Sequence, residues 1–126
     1  MSQSVSNINT LITKKYLQTQ VENQYFERKG LGEKEIRTTK IAEEIIGMLN
    51  ADGGILAFGV SDSGEIEDLS ILGNKLNAYR TLTFDFIHPA CNVELEEIYI
   101  EGKLIFLFHI EQELERIFSR KDTDNV

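Results

Sequence analysis

The chain has 126 residues, of which 41% are hydrophobic and 27% are charged, and its net charge is −8. This composition indicates one globular domain and excludes an intrinsically disordered chain. No apolar run approaches the roughly 20 residues of a membrane-spanning helix, and the one cysteine, Cys91, has no partner for an internal disulfide. We therefore expect a cytoplasmic protein without a membrane partner.

The negative charge is unevenly distributed along the chain. Residues 1–50 contain seven Lys or Arg and six Asp or Glu, whereas residues 51–126 contain six and fifteen, so the net charges are +1 and −9. Affinity for nucleic acids comes largely from Lys and Arg side chains that displace counterions from phosphates. Any binding of DNA or RNA must therefore use the N-terminal half, or basic regions outside this chain.

The first predicted elements are a short helix and a strand. Residues 1–19 form an N-terminal extension in which apolar residues at 9–17 lie near helical spacing. The domain itself covers residues 20–126. Residues 21–29 contain Val, Tyr and Phe and predict a strand, which the glycines at 30–32 end.

The main predicted helix covers residues 33–50 and leads into a buried strand. One face of the helix is apolar at the i, i+3, i+4, i+7 spacing, formed by Ala42, Ile45, Ile46 and Leu49. Gly47 lies inside the helix at a cost of roughly 1 kcal/mol relative to alanine. Gly53 and Gly54 end the helix, and the apolar residues 55–60 predict a short strand that is buried on both faces.

The second half predicts one more helix and a hairpin. Residues 74–87 form the helix, which Pro89 stops. Val93–Ile100 and Lys103–Ile110 pair across a tight turn, with the apolar stretch 104–108 at the centre of the sheet, and residues 116–120 predict a last strand. The predicted fold class is α+β, with a mixed β-sheet, two main helices and the element order β-α-β-α-β-β-(β).

Three carboxylates are candidates for a metal site. Glu22, Glu27 and Asp62 would suit Mg²⁺ or Mn²⁺, because hard cations prefer oxygen ligands, and such a metal can activate water for phosphoryl transfer. Side chains alternate along a strand, so Glu22 and Glu27 would face opposite sides unless a bulge intervenes or Glu22 precedes the strand. The alternative is that all three are ordinary surface carboxylates.

Five cations are candidates for phosphate contacts. They lie within thirteen residues, at the end of the first strand and the start of the main helix: Arg28, Lys29, Lys34, Arg37 and Lys40. Interleaved glutamates such as Glu27 and Glu33 would weaken this basic edge. The alternative is that pairs such as Glu33 and Arg37 are i, i+4 ion pairs on a solvated helix face.

Three blocks of the sequence resemble the Schlafen-type AlbA domain. Residues 22–29 resemble its opening strand, residues 41–62 resemble its helix, Asn-x-x-Gly-Gly turn and following strand, and residues 93–120 resemble its closing hairpin. The resemblance implies an Alba-like α+β fold that binds DNA or RNA. It also implies an ATPase-like or winged-helix region after Val126, as in many bacterial relatives.

We therefore expect the DNA-binding domain of a bacterial-type transcriptional regulator, with no cofactor. One alternative is a metal-dependent ribonuclease, since some Schlafen proteins use three carboxylates whose positions match Glu22, Glu27 and Asp62. Another is a dimerisation module in which the exposed hairpin edge pairs with a second copy. Both nucleic-acid hypotheses require the strand at 21–29 to lie beside the strand at 55–60.

Overall fold

The structure is a computed structural model that describes residues 14–23, 25–32, 36–113 and 116–121. A helical segment, α1, covers residues 14–19. The strands are β1 (Phe26–Lys29), β2 (Gly54–Phe58), β3 (Ile87–His88), β4 (Val93–Ile100), β5 (Lys103–Ile110) and β6 (Ser119–Arg120). The other helices are α2 (Thr38–Leu49), a 3₁₀ helix (Leu69–Lys75), α3 (Leu76–Arg80) and α4 (Leu82–Phe86). No helix among the described residues is long and apolar enough to cross a membrane.

A mixed four-stranded sheet forms the centre of the molecule. Its strand order is β1-β2-β5-β4, with β1 parallel to β2 and the other neighbours antiparallel. Phe26 pairs with Ile55 and Lys29 with Phe58, which confirms that the first strand lies beside the strand after the diglycine. The short strands β3 and β6 form a separate two-stranded sheet. Helices together with a mixed sheet confirm the predicted α+β class.

Each face of the sheet packs in a cluster of apolar side chains. On one face, Phe58, Phe106 and Phe108 pack with the apolar stripe of α2 and with the 3₁₀ helix, α3 and α4. On the other face, Leu17 of α1 packs against Phe26 and a smaller cluster of sheet residues. The central strand β5 is apolar on both faces because helices cover both of its sides.

The hairpin between β4 and β5 has the predicted bounds. Its two loop residues, Glu101 and Gly102, have φ angles of 52° and 81°, which is the left-handed geometry that a two-residue hairpin loop requires. All eight residues of β4 pair with β5 without a bulge. The turn therefore fixes the register of the two predicted strands.

Several predicted bounds were wrong. The first strand begins at Phe26, since Val21 is 77% exposed and Asn23 turns back to bond with Phe26. The described part of the main helix begins at Thr38, because Arg37 has extended backbone angles. The predicted helix at 74–87 is divided between the end of the 3₁₀ helix, α3 and α4, and Thr81 is non-helical.

The last strand is also shorter than predicted, since β6 contains only Ser119 and Arg120, and β3 was not predicted. Two-residue strands depend on tertiary pairing and carry no periodicity that a sequence pattern can show.

Candidate nucleic-acid interface

The parallel pairing of β1 and β2 brings two charged chain segments to one edge of the sheet. Lys29 ends β1, and its carbonyl accepts a 2.7 Å hydrogen bond from the amide of Gly59, just after β2. An open cavity of about 290 Å³ lies at this edge, lined by Lys29, Gly30, Gly32, Ser61, Asp62 and Glu67. Lys29 and Asp62 therefore share one rim, as expected from carboxyl ends of parallel strands that point the same way.

Lys29 is held in a network of alternating charges. Its Nζ lies 3.2 Å from Glu27 Oε1 and 3.5 Å from Glu44 Oε1. The same Glu44 oxygen lies 3.2 Å from the Nζ of Lys40, one turn earlier on α2. Both ammonium groups therefore approach one carboxylate oxygen, with Lys29 and Glu44 mostly buried and Lys40 more exposed.

Burial and neighbouring charge shift the pKa values in this network in opposite directions. Burial and the nearby charge of Glu44 raise the pKa of Glu27 above its ordinary value. Burial also opposes ionisation of Glu44, but its hydrogen bond to Lys40 and the charge of Lys29 outweigh burial, so the pKa of Glu44 is lowered. The pKa of Lys29 is raised, because its two carboxylate partners outweigh the effect of burial.

Arg28 is not available for phosphate contact, so this predicted contact was wrong. Its side chain is on the opposite face of β1 from Lys29, and the residue is only 5% exposed. Nε donates a 2.6 Å hydrogen bond to the Leu17 carbonyl, and a second guanidinium nitrogen donates to the Gln20 carbonyl. The guanidinium also lies 5.0 Å from the ring centre of Phe26. Arg28 therefore fastens α1 to the sheet.

The other predicted cations lie near the start of α2. Arg37 is exposed at the N-cap of α2 and forms no ion pair with a described residue. Lys40 follows one turn later with about half of its side chain exposed. Lys34 lies outside the described residues. Lys29, Arg37 and Lys40 are thus the described cations of the predicted basic edge.

The three predicted metal ligands lie in different surroundings. The Oε2 atom of Glu22 accepts a 3.0 Å hydrogen bond from the Arg28 amide, Glu27 pairs with Lys29, and Asp62 lines the cavity. Within the ranges that the structure describes, no three His, Cys, Asp or Glu side chains are grouped closely enough to hold a metal. The described geometry does not fit a bound Mg²⁺ or Mn²⁺, and the ligand assignment stays a prediction.

The sequence analysis did not identify two carboxylates of this region, Glu44 and Glu67. Glu44 follows Lys40 by four residues, a spacing that favours an ion pair and could have revealed it. Glu67 accepts a 2.7 Å hydrogen bond from the Leu31 amide and so holds the loop after β1 at the cavity. That contact joins residues 36 positions apart, and no local pattern indicates it.

Comparison with known proteins identifies the class of this fold and site. The family model described as Schlafen, AlbA_2 matches residues 22–125. The chain belongs to the Schlafen AlbA_2 family, and membership suggests a nucleic-acid-binding domain.

One solved structure supports the fold. The crystal structure of the DIP2311 protein from Corynebacterium diphtheriae is similar with a TM-score of 0.59 at 17% sequence identity. The match covers 94% of this chain and 28% of that chain. No curated protein matches this chain.

Proposed function

We propose that the chain is the DNA-binding domain of a bacterial-type transcriptional regulator and contacts phosphates through Lys29, Arg37 and Lys40. Family membership supports the nucleic-acid part of this proposal. The observation that carries the assignment of residues is the position of Lys29 and Lys40 around one carboxylate oxygen, with the exposed Arg37 one turn away from Lys40. A regulator role, and an ATPase-like or winged-helix region after Val126, belong to the same proposal.

Exchange of one anion for another explains how an acidic domain can bind a phosphate here. Glu44 neutralises Lys29 and Lys40 in the free domain. A phosphate oxygen can replace the Glu44 oxygen, because it offers the same two ammonium groups a negatively charged acceptor. The free energy of binding is then the difference between the interactions of phosphate and of Glu44 with the same ammonium groups. We therefore expect a modest affinity for nucleic acid that depends strongly on salt.

The test measures binding of a labelled DNA duplex by fluorescence anisotropy across a salt series. Replacement of both Arg37 and Lys40 by alanine should weaken binding and lower the slope of log affinity against log salt by about 2, since each phosphate contact contributes about 0.9. The matched control replaces Lys15 and Lys103, two exposed lysines outside this edge, and should leave the slope unchanged.

An unchanged slope in the Arg37 and Lys40 variant, with native folding shown by circular dichroism, contradicts the assignment of these residues. A single-stranded DNA and an RNA duplex of the same sequence, measured in parallel, show which nucleic acid binds best. Tighter binding of RNA than of DNA contradicts the transcriptional role and leaves nucleic-acid binding intact.

A further inference from the structure

The two edges of the central sheet differ in how their backbone groups are used. At the β1 edge, Phe26 exchanges backbone hydrogen bonds with Asn23, and the Arg28 amide donates to the carboxylate of Glu22. These contacts cover that edge. At the opposite edge lies β4, and no other described strand pairs with its outer side.

The hairpin geometry shows which groups of β4 face outward. Ile100 and Lys103 close a two-residue loop and form a hydrogen-bonded pair, so alternate residues from Ile100 back to Glu94 bond to β5. The outward N–H and C=O groups therefore belong to Val93, Leu95, Glu97 and Tyr99. The edge is eight residues long, contains no proline and has no bulge, so its shape does not prevent another strand from pairing.

The side chains of β4 give this edge a negative charge. Glu94 and Glu96 are exposed on one face of the strand, and Glu96 lies 2.9 Å from Nε2 of His109. Glu97 is exposed on the other face and accepts two 3.0 Å hydrogen bonds from Arg80. A cationic side chain on a pairing strand would lie opposite the Glu94 and Glu96 carboxylates.

We propose that the outer edge of β4 binds an extended segment of a partner protein that carries Lys or Arg at alternate positions. The segment would add to the sheet as a fifth, antiparallel strand, with backbone hydrogen bonds giving affinity and the alternating cations giving specificity. This interface is at the opposite edge of the sheet from the proposed phosphate contacts. It does not depend on nucleic-acid binding.

A second copy of the chain is a poor occupant of this edge. Antiparallel pairing of two β4 strands about a twofold axis at Leu95 places Glu94 opposite Glu96. An axis at Glu96 or Glu97 places that carboxylate opposite its own copy. These three registers set like charges against each other, which destabilises each of them.

The termini of the chain do not supply the complementary charge either. Residues 1–13 and residues 122–126 contain no Lys or Arg. The complementary charge therefore has to come from a strand other than these terminal segments, and we assign it to a partner protein.

A cavity next to the start of β4 offers a place for one cationic side chain. Its volume is about 360 Å³, and its lining includes the carboxylates of Glu94 and Glu111 and the apolar side chain of Ile55, but no Lys or Arg. A Lys or Arg opposite Glu94 can extend over β4 and place its charge beside the Glu94 carboxylate, at the side of this cavity nearest the added strand. Such a pocket would select one position of the partner strand.

The experiment uses the whole chain and a labelled peptide of four Lys-Val repeats with blocked ends. We expect saturable binding by fluorescence anisotropy, together with slowed hydrogen exchange at the amides of Val93, Leu95, Glu97 and Tyr99. Joint replacement of Glu94 and Glu96 by lysine should weaken binding by about tenfold or more, since two favourable pairs become repulsive. The control replaces the exposed Glu43 and Glu65 by lysine, with the same change of net charge, and should keep the affinity.

Other outcomes overturn the proposal. These are no peptide binding by the folded chain, equal binding of a peptide with Glu in place of Lys, or an equal loss of affinity in the control variant. Slow exchange at the four outward amides without peptide shows that another part of this chain or a second copy covers the edge. Analytical ultracentrifugation over a range of concentrations then distinguishes those two occupants.

Discussion

At the scale of single residues, Glu44 lies between Lys29 and Lys40 and forms an ion pair with each of them. Its carboxylate pairs with Lys29 of β1 and with Lys40 of its own helix, so one of the two ion pairs joins the strand to the helix, and against the effect of burial both cations lower the pKa of Glu44. A sequence pattern can place Lys29 and Lys40 near each other, but it does not show that one carboxylate lies between them. The basic edge is therefore neutralised more strongly than the sequence indicates.

Replacement of Glu44 by glutamine should strengthen nucleic-acid binding. Loss of the carboxylate releases Lys40 and leaves Lys29 paired with Glu27 alone, so we expect binding about threefold to tenfold tighter at low salt and a steeper salt dependence. Fluorescence anisotropy over the same salt series measures the change. Glu43→Gln is the control, because Glu43 is exposed and its pair with Arg120 is long, at 3.8 Å. Equal strengthening in both variants would show an effect of net charge alone.

Glu27 and Asp68 should respond to pH in opposite directions. The raised pKa of Glu27, caused by burial and then by Glu44, means that ionisation costs the folded state more than the unfolded state. Its contribution to stability is therefore lost as pH rises from the unfolded pKa through the folded pKa. The pKa of Asp68 is lowered by hydrogen bonds from the Leu104 and Ser70 amides, so its contribution is lost as pH falls.

Urea unfolding of two variants between about pH 3 and pH 7 tests these signs. Glu27→Gln should gain stability relative to the natural chain as pH rises, whereas Asp68→Asn should lose stability relative to it. Parallel changes in the two variants would contradict the opposite environments of these carboxylates. The comparison has an internal control because both substitutions remove one negative charge.

At the scale of secondary-structure elements, α2 contains a glycine, Gly47, that lowers the stability of the helix and has no structural requirement. Gly47 lies on the exposed side of the helix, and a Cβ atom at this position would meet no other atom within 4 Å. Gly54 differs, because its φ of 129° is left-handed and a Cβ would collide with the backbone of Tyr25. One glycine is thus replaceable, and the other is required by the close approach of β1 to β2.

Gly47→Ala should stabilise the protein by about 1 kcal/mol, since alanine loses less backbone entropy in a helix. Gly54→Ala should destabilise it. The midpoint of urea unfolding measures both. A lower unfolding midpoint in Gly47→Ala would indicate that another group in the folded protein packs against the exposed side of α2 at this position.

At the scale of the whole molecule, Arg28 joins α1 to the sheet. The guanidinium bonds to carbonyls at and just after α1, at Leu17 and Gln20, and the side chain of Leu17 is buried on the sheet face. A buried arginine of this kind contributes to the assembly of two elements, whereas the exposed Arg37 contributes little to stability. Variants of the two arginines should therefore distinguish effects on stability from effects on nucleic-acid binding.

Arg28→Ala should lower the unfolding free energy by about 2 to 4 kcal/mol, because buried carbonyl groups lose their donors. The salt dependence of nucleic-acid binding should not change under conditions in which the variant stays folded. Arg37→Ala should have the reverse effects, with stability nearly unchanged and a lower salt slope. Urea unfolding and the salt series test both, and a reduced slope in folded Arg28→Ala would restore Arg28 as a phosphate contact.

The sequence by itself determined the features that depend on local periodicity and turn chemistry. The Glu-Gly turn and the apolar stretch 104–108 predicted the bounds of β4 and β5, and the glycines after α2 predicted the start of β2. The sequence also placed Lys29 and Asp62 at one rim through the expected pairing of β1 with β2. The alternation of side chains along a strand also places Arg28 on the opposite face of β1 from Lys29, and the sequence alone is enough to show this.

Only the tertiary structure decided how the charges are paired and which sheet edge is open. Glu44 lies fifteen residues from Lys29, and Glu67 lies 36 residues from Leu31, so packing alone brings these groups together. The breaks between the 3₁₀ helix, α3 and α4, and the pairing of β3 with β6, likewise depend on contacts between distant segments. The physical reason is that periodicity sets which face of an element is buried, whereas the partner of a charged group depends on how the elements pack.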